Sequence, residues 1–165
     1  MQHEDNSSSP QKKPTSKKEA KLKAASYCAY QERSQHEVRN KLFDLGLHSD
    51  EVDEVLSELI IDGFVNEERF SKAYVGGKFR VKKWGRVKIL HGLKQHKISE
   101  YCVNKGLQEI DEEEYLETLR TLLTKKAALI SFKSNLERNS KLGQFAITRG
   151  FEPSYVWGIL KTEFL

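Results

Sequence analysis

The residues of this chain that could do chemistry are mainly cations gathered in one stretch. From Arg69 to Ser99 there are ten lysines and arginines (Arg69, Lys72, Lys78, Arg80, Lys82, Lys83, Arg86, Lys88, Lys94, Lys97) and no acid. Ser49 to Glu68, just before, holds eight acids and no base. The formal net charge is +4, so the residues outside Arg69–Ser99 carry −6 between them. Positive charge concentrated in this way points to a polyanionic or acidic partner. The candidate contact residues are Lys78, Arg80, Lys82, Lys83, Arg86 and Lys88. Phosphate contacts need only Lys and Arg on one face, whereas reading bases needs Arg, Asn or Gln at a helix start. Arg86 and Lys88 lie near such a start, but no Asn or Gln stands beside them. The stretch therefore suits charge complementarity better than sequence readout. Trp84 within it reads as a packing residue at a turn, with a stacking platform as the alternative.

Catalytic and metal-binding arrangements are missing. Gly76-Gly77-Lys78 lies inside a helical pattern with no strand before it, so it is no phosphate loop. His91 and His96 do not share a helix face, and His3, His36 and His48 fall in different elements, so metal-ligand spacing is absent. No Ser or Cys sits in a nucleophile turn. The expectation is a protein that is not an enzyme and takes no cofactor or metal. Cys28 and Cys102 are far apart and form no CxxC pattern, which suits two small core residues in a reducing compartment. No apolar run approaches the ~20 residues of a membrane span, and the polar N-terminus lacks a signal-peptide core. The expected location is the cytoplasm.

The elements that must position the cations read as helices throughout. Residues 1–18 are rich in Ser, Gln, Lys and Pro and nearly devoid of apolar side chains, which predicts a disordered basic tail. Between Pro14 and Pro153 there is no proline, and apolar residues recur at steps of three and four. Ala20, Ala24 and Tyr27 begin a first helix. Ser34 and Glu37 form a capping box for a second, carrying Val38, Leu42 and Leu45 and stopped by Gly46. Ser49 is expected to cap a third with Val52, Val55, Leu56, Leu59 and Ile60, ended by Gly63. Phe70, Ala73, Tyr74, Gly77 and Val81 predict the buried face of a fourth. Trp84-Gly85 breaks the chain before a fifth with Ile89 and Leu93, and Ser99 caps a sixth with Val103 and Leu107. Asp111 and Glu114 cap a long seventh helix with Tyr115, Leu119, Leu122, Leu123 and Ile130. The acids around its start suit the positive helix end better than a metal. Leu142, Phe145 and Ala146 line an eighth, and Pro153 opens a ninth.

An internal repeat runs through this pattern. Adding 51 carries Val38, Leu42, Leu47, Val52 and Leu56 onto Ile89, Leu93, Ile98, Val103 and Leu107. Adding 104 carries them onto Leu142, Ala146, Phe151, Val156 and Leu160, with Gly46 falling on Gly150. The expected architecture is all-α: an elongated array of three tandem three-helix, helix-turn-helix-like repeats over residues 19–66, 67–110 and 111–165.

Several of these residues resemble the RecX family, bacterial regulators of the RecA recombinase. The likeness rests on Arg33-Ser34, Glu37-Val38, Lys41-Leu42 and Leu45-Gly46, then Val55-Leu56, Leu59, Gly63 to Glu67, Arg69-Phe70 and Ala73-Tyr74-Val75. Gly85-Arg86, Ile89, Leu93 and Arg149-Gly150-Phe151 complete it, so that it covers about residues 25–160. The chain departs from the family pattern at Glu67, Ser71, Gly92 and Lys97. Gly92 in mid-helix suggests a locally loose fifth helix. The resemblance implies a non-enzymatic protein that binds the RecA filament on single-stranded DNA; a monomer is expected. It further implies restraint of ATPase, strand-exchange and coprotease activities, with weak direct DNA binding as a further property. That is a role in the SOS response, DNA repair and homologous recombination. A stand-alone helix-turn-helix DNA-binding protein is the alternative reading.

Overall fold

Each repeat closes as three helices because every helix carries a single apolar stripe, which must be covered by two neighbours. The computed structural model describes residues 15–165. Among them are nine helices and no strand: α1 (Lys17–Tyr30), α2 (Gln35–Asp44), α3 (Ser49–Ile61), α4 (Glu67–Arg80), α5 (Arg86–Gln95), α6 (Glu100–Leu107), α7 (Glu112–Ala127), α8 (Asn135–Thr148) and α9 (Pro153–Glu163). Substantial helix-on-helix packing lies inside the triplets α1–α3, α4–α6 and α7–α9. The array is thus three tandem repeats.

Local signals set most helix ends. Ser34 Oγ accepts the Glu37 N–H at 3.1 Å while Glu37 Oε2 accepts the Ser34 N–H at 2.8 Å. Ser99 and Asp111 cap α6 and α7 with their side chains, and Pro153 occupies the first turn of α9. Three expectations shift. The first helix begins at Lys17 behind a Ser16 cap, so Lys17 and Lys18 belong to it, and Lys17 pairs with Glu54. The rest of the tail, residues 1–14, lies outside the described residues. His48 rather than Ser49 is the N-cap of α3; its backbone N–H reaches Glu51 Oε1 at 3.3 Å. Helix α7 ends at Ala127, which leaves Ile130 in the following turn.

The repeat is visible in backbone conformation. Gly46 and Gly150 end the second helix of repeats 1 and 3 at φ +93° and +98°, and the equivalent residue of repeat 2, Lys97, adopts φ +55°. A side chain in the left-handed region costs roughly 1–2 kcal/mol. Lys97→Gly is therefore expected to stabilise the protein by about 1 kcal/mol, read as a rise in Tm of a few degrees. An unchanged or lower Tm would show that the Lys97 side chain offsets its backbone strain.

The buried face of α4 differs from the apolar-stripe reading. Phe70, Ser71, Val75, Gly76 and Phe79 are buried, whereas Ala73, Gly77 and Val81 are exposed. The cause is close packing on α6: a Cβ at Gly106 would stand 2.2 Å from Ser71 Oγ. Small residues let the backbones approach and turn the stripe. The same contact buries Cys102 and Gly106 and leaves Val103 and Leu107 half-buried on the core. Ile60, expected inside, is exposed. Gly92 does not loosen α5, because a Cβ there would stand 1.9 Å from the Tyr74 hydroxyl. The phenol fills the space, and Gly92 is buried.

The three repeats share two cores, not three. Ala20 to Val65 form one core in repeat 1, while Phe70 to Leu160 form a continuous core through repeats 2 and 3. The seam between repeats 1 and 2 is polar: Ser34 Oγ meets His96 Nδ1 at 3.0 Å, and Arg69 pairs with Glu32. A cavity of about 370 Å³ remains there, walled by Phe70, Tyr74 and His96. Burial holds the His96 imidazolium below its usual pKa, against the pull of Glu37 at 3.9 Å.

Candidate interaction surface at the seam of repeats 2 and 3

The turn between α4 and α5 is built on the end of α8. The Gly85 N–H donates to Arg149 O and the Val87 N–H to Gly150 O, both at 2.9 Å. These contacts give the first N–H groups of α5 and the last carbonyls of α8 the partners that helix ends otherwise lack. The backbones touch so closely that a Cβ on Gly85 would lie 2.2 Å from Gly150 C and Phe151 N. Arg149 also reaches across, donating from Nη2 to Lys82 O at 2.6 Å and from Nε to Lys83 O at 3.3 Å.

This construction divides the six candidate residues. Lys82 and Lys83 stand exposed on the turn, with Lys83 at φ +57°. Lys78 and Lys88 place their ammonium groups 4.7 and 4.4 Å from the Trp84 ring. Among the described residues none of these four lysines has a carboxylate within 4 Å, so their charge is available to a partner. Trp84 itself packs on the core of repeats 2 and 3 while the two ammonium groups attend its ring. The packing role describes it better than a stacking platform.

Arg80 and Arg86 are engaged internally. Arg80 donates to Glu109 O at 2.8 Å and lies 3.9 Å from Glu114 Oε1. Arg86 turns inward, only 21% exposed: it pairs with Glu112, sits 3.9 Å from Glu152, and stacks 3.9 Å from the centre of the Tyr115 ring. Tyr115 completes the network, accepting the Arg86 N–H at 3.0 Å and donating to Glu152 Oε2 at 3.0 Å. Burial pushes its hydroxyl pKa well up. The Tyr155 hydroxyl, then Arg86, hold the Glu112 carboxyl below its usual range. Arg86→Ala would take the cation from Glu112 and Glu152, leaving them only the Tyr155 and Tyr115 hydroxyls, and uncover Tyr115. It is expected to cost about 2–3 kcal/mol, a fall in Tm of roughly 5–10 °C. A variant melting like wild type would return Arg86 to the free contact surface.

The sequence reading missed two cations of this surface. Arg149 was legible only as part of the Arg149-Gly150-Phe151 pattern, and Lys126 lies outside the basic stretch; it stands 5.0 Å from the Phe145 ring centre. Among the described residues no group of three His, Cys, Asp or Glu is placed to hold a metal ion. No described helix is long and apolar enough to cross a membrane.

Comparison with known proteins matches all three repeats in order. Residues 20–59, 66–107 and 112–160 match the family models described as the first, second and third three-helix domains of RecX. "Regulatory protein RecX" of Bacillus mycoides is 27% identical over 132 residues, 80% of this chain and 49% of that protein. The namesake of Clostridium acetobutylicum is 28% identical over 149 residues, 88% of this chain and 69% of its own length. The chain thus spans about half the length of the Bacillus relative. The crystal structure of RecX from Lactobacillus salivarius superposes with a TM-score of 0.79 at 25% identity, covering 88% of this chain and 94% of that one.

Proposed function

The chain belongs to the RecX family, and from that premise we propose that it is a non-enzymatic regulator of the RecA recombinase. It binds the RecA filament on single-stranded DNA in the cytoplasm and restrains ATP hydrolysis, strand exchange and coprotease activity. What carries this reading is the pairing of three family domains in order with lysines at the seam of the second and third that have no carboxylate partner among the described residues. Lys78, Lys82, Lys83 and Lys88 are the contact residues, acting by Coulomb attraction on phosphates or acidic side chains. Arg80 and Arg86 hold the surface in shape.

The alternative, a stand-alone helix-turn-helix protein reading duplex DNA, is disfavoured by the geometry. The start of α5, the helix that would enter a groove, is bonded to Arg149 and Gly150 and walled by Glu112 and Glu152. The test is to follow RecA's single-strand-dependent ATP hydrolysis while adding this protein at well below the RecA concentration. Hydrolysis is expected to fall at these ratios. Undiminished hydrolysis at equimolar protein, together with tight sequence-selective duplex binding, would establish the alternative.

A further inference from the structure

The basic surface does not stop at the seam. Beyond Lys88 a groove of about 590 Å³ opens between α7 and α8, and among the described residues no acid lines it. Lys88 of α5, Lys126 of α7 and Arg149, the C-cap of α8, bring cations to it; Lys141 is partly satisfied by Glu137 at 2.9 Å and Ser131 O at 2.8 Å. Among the described residues, Lys88, Lys126 and Arg149 have no carboxylate partner. Arg149 is pre-oriented by its bonds to the Lys82 and Lys83 carbonyls.

We propose that this groove on repeat 3 seats a phosphodiester backbone, so that single-stranded nucleic acid crosses from the lysines of repeat 2 onto α8. The proposal rests on the functional reading above and gives its surface a specific ligand. Two features favour phosphate over an acidic protein. Neutral donors stand among the cations: Gln144 and Thr148 follow Lys141 at steps of three and four along α8. That places donors at about one-turn intervals of 5.4 Å. Hydroxyl, amide and cationic groups together are the set that phosphate and sugar oxygens recruit. The ring in the groove, Phe145, is attended by Lys126 at 5.0 Å and Arg149 at 5.6 Å, which disfavours base stacking. The seat is indifferent to sequence.

The test uses the whole chain without RecA, measuring fluorescence anisotropy of a labelled oligo-dT at several salt concentrations. Lys126→Glu/Thr148→Glu is expected to weaken binding at least tenfold. It should also flatten the dependence of log affinity on log salt by roughly one, since a single strand contributes about 0.7 per phosphate neutralised. Lys161→Glu, an exposed charge reversal on α9, is the control and should bind nearly as wild type. Circular dichroism and melting verify the fold, and Gln144→Glu repeats the test should the double variant fail to fold. A folded variant with wild-type affinity overturns the proposal. So does displacement of the oligonucleotide by polyglutamate at equal charge concentration, which would assign the groove to an acidic protein. Absence of oligo-dT binding by the wild-type chain overturns the groove but leaves RecA inhibition to be judged separately. Lost binding as expected in a chain that never inhibits RecA supports the groove and removes the functional reading.

Discussion

Gly85→Ala is expected to open the seam between repeats 2 and 3 and lower Tm by roughly 10–15 °C. The added methyl meets backbone, not a side chain that can turn aside: Gly150 C and O and Phe151 N all lie within 2.3 Å of where it would stand. Overpacking of a tight site costs about 1–3 kcal/mol. Separating the strands of chain here also loosens two backbone hydrogen bonds worth about 1 kcal/mol each. A total of about 3–5 kcal/mol corresponds to that fall in Tm for a chain of this length. Gly77→Ala is the matched comparison, because a methyl there meets nothing within 4 Å and Ala favours the interior of α4. It should melt at or slightly above wild type. If Gly85→Ala melts within 2 °C of wild type, the close approach of the two backbones is not a constraint on the fold.

The second large effect is on function. Reversing Lys82, Lys83 and Lys88 to Glu removes three positive charges and adds three negative ones where no carboxylate offers a pair. Inhibition of RecA is expected to need more than tenfold more protein, with circular dichroism and Tm close to wild type, since exposed charges contribute little to stability. Arg86 does not belong to this set, because it is paired with Glu112 and stacked on Tyr115. Its substitution lowers activity through the fold, so a loss of inhibition accompanied by a lower Tm would not identify a contact. A folded triple variant that inhibits at wild-type concentration would move the contact surface away from the seam.

The contrast between Lys88 and Arg86 shows where the sequence stops being informative. Both lie in one basic run, and composition treats them alike. What separates them is Glu112, a residue of the next repeat whose acidic neighbourhood reads as helix-end stabilisation when taken by itself. Ion pairs between repeats depend on how the repeats are set against one another, which no local pattern encodes. Helix boundaries were legible because their causes are local: Ser34 with Glu37, Gly46, Asp111 and Pro153 act within four residues of themselves. The face of α4 was misread because its packing runs through Ser71, Gly76 and Gly106. A stripe built of small residues carries no hydrophobic signal. Gly92 misled for a similar reason, its value lying in the Tyr74 ring that uses its missing side chain.

The unequal seams make the chain two folding units. Repeat 1 closes on its own core and meets its neighbour through Ser34, His96, Glu32 and Arg69 across a cavity, whereas repeats 2 and 3 share side chains and backbone bonds. Amide protons of α2 and α3 are therefore released to solvent by an opening that leaves the rest intact. Those of α5 and α8 exchange only when both repeats open together, at one common free energy. A protease or a tug on the N-terminus would undo the molecule in that order, repeat 1 first, with the lysine-bearing seam surviving until the last step.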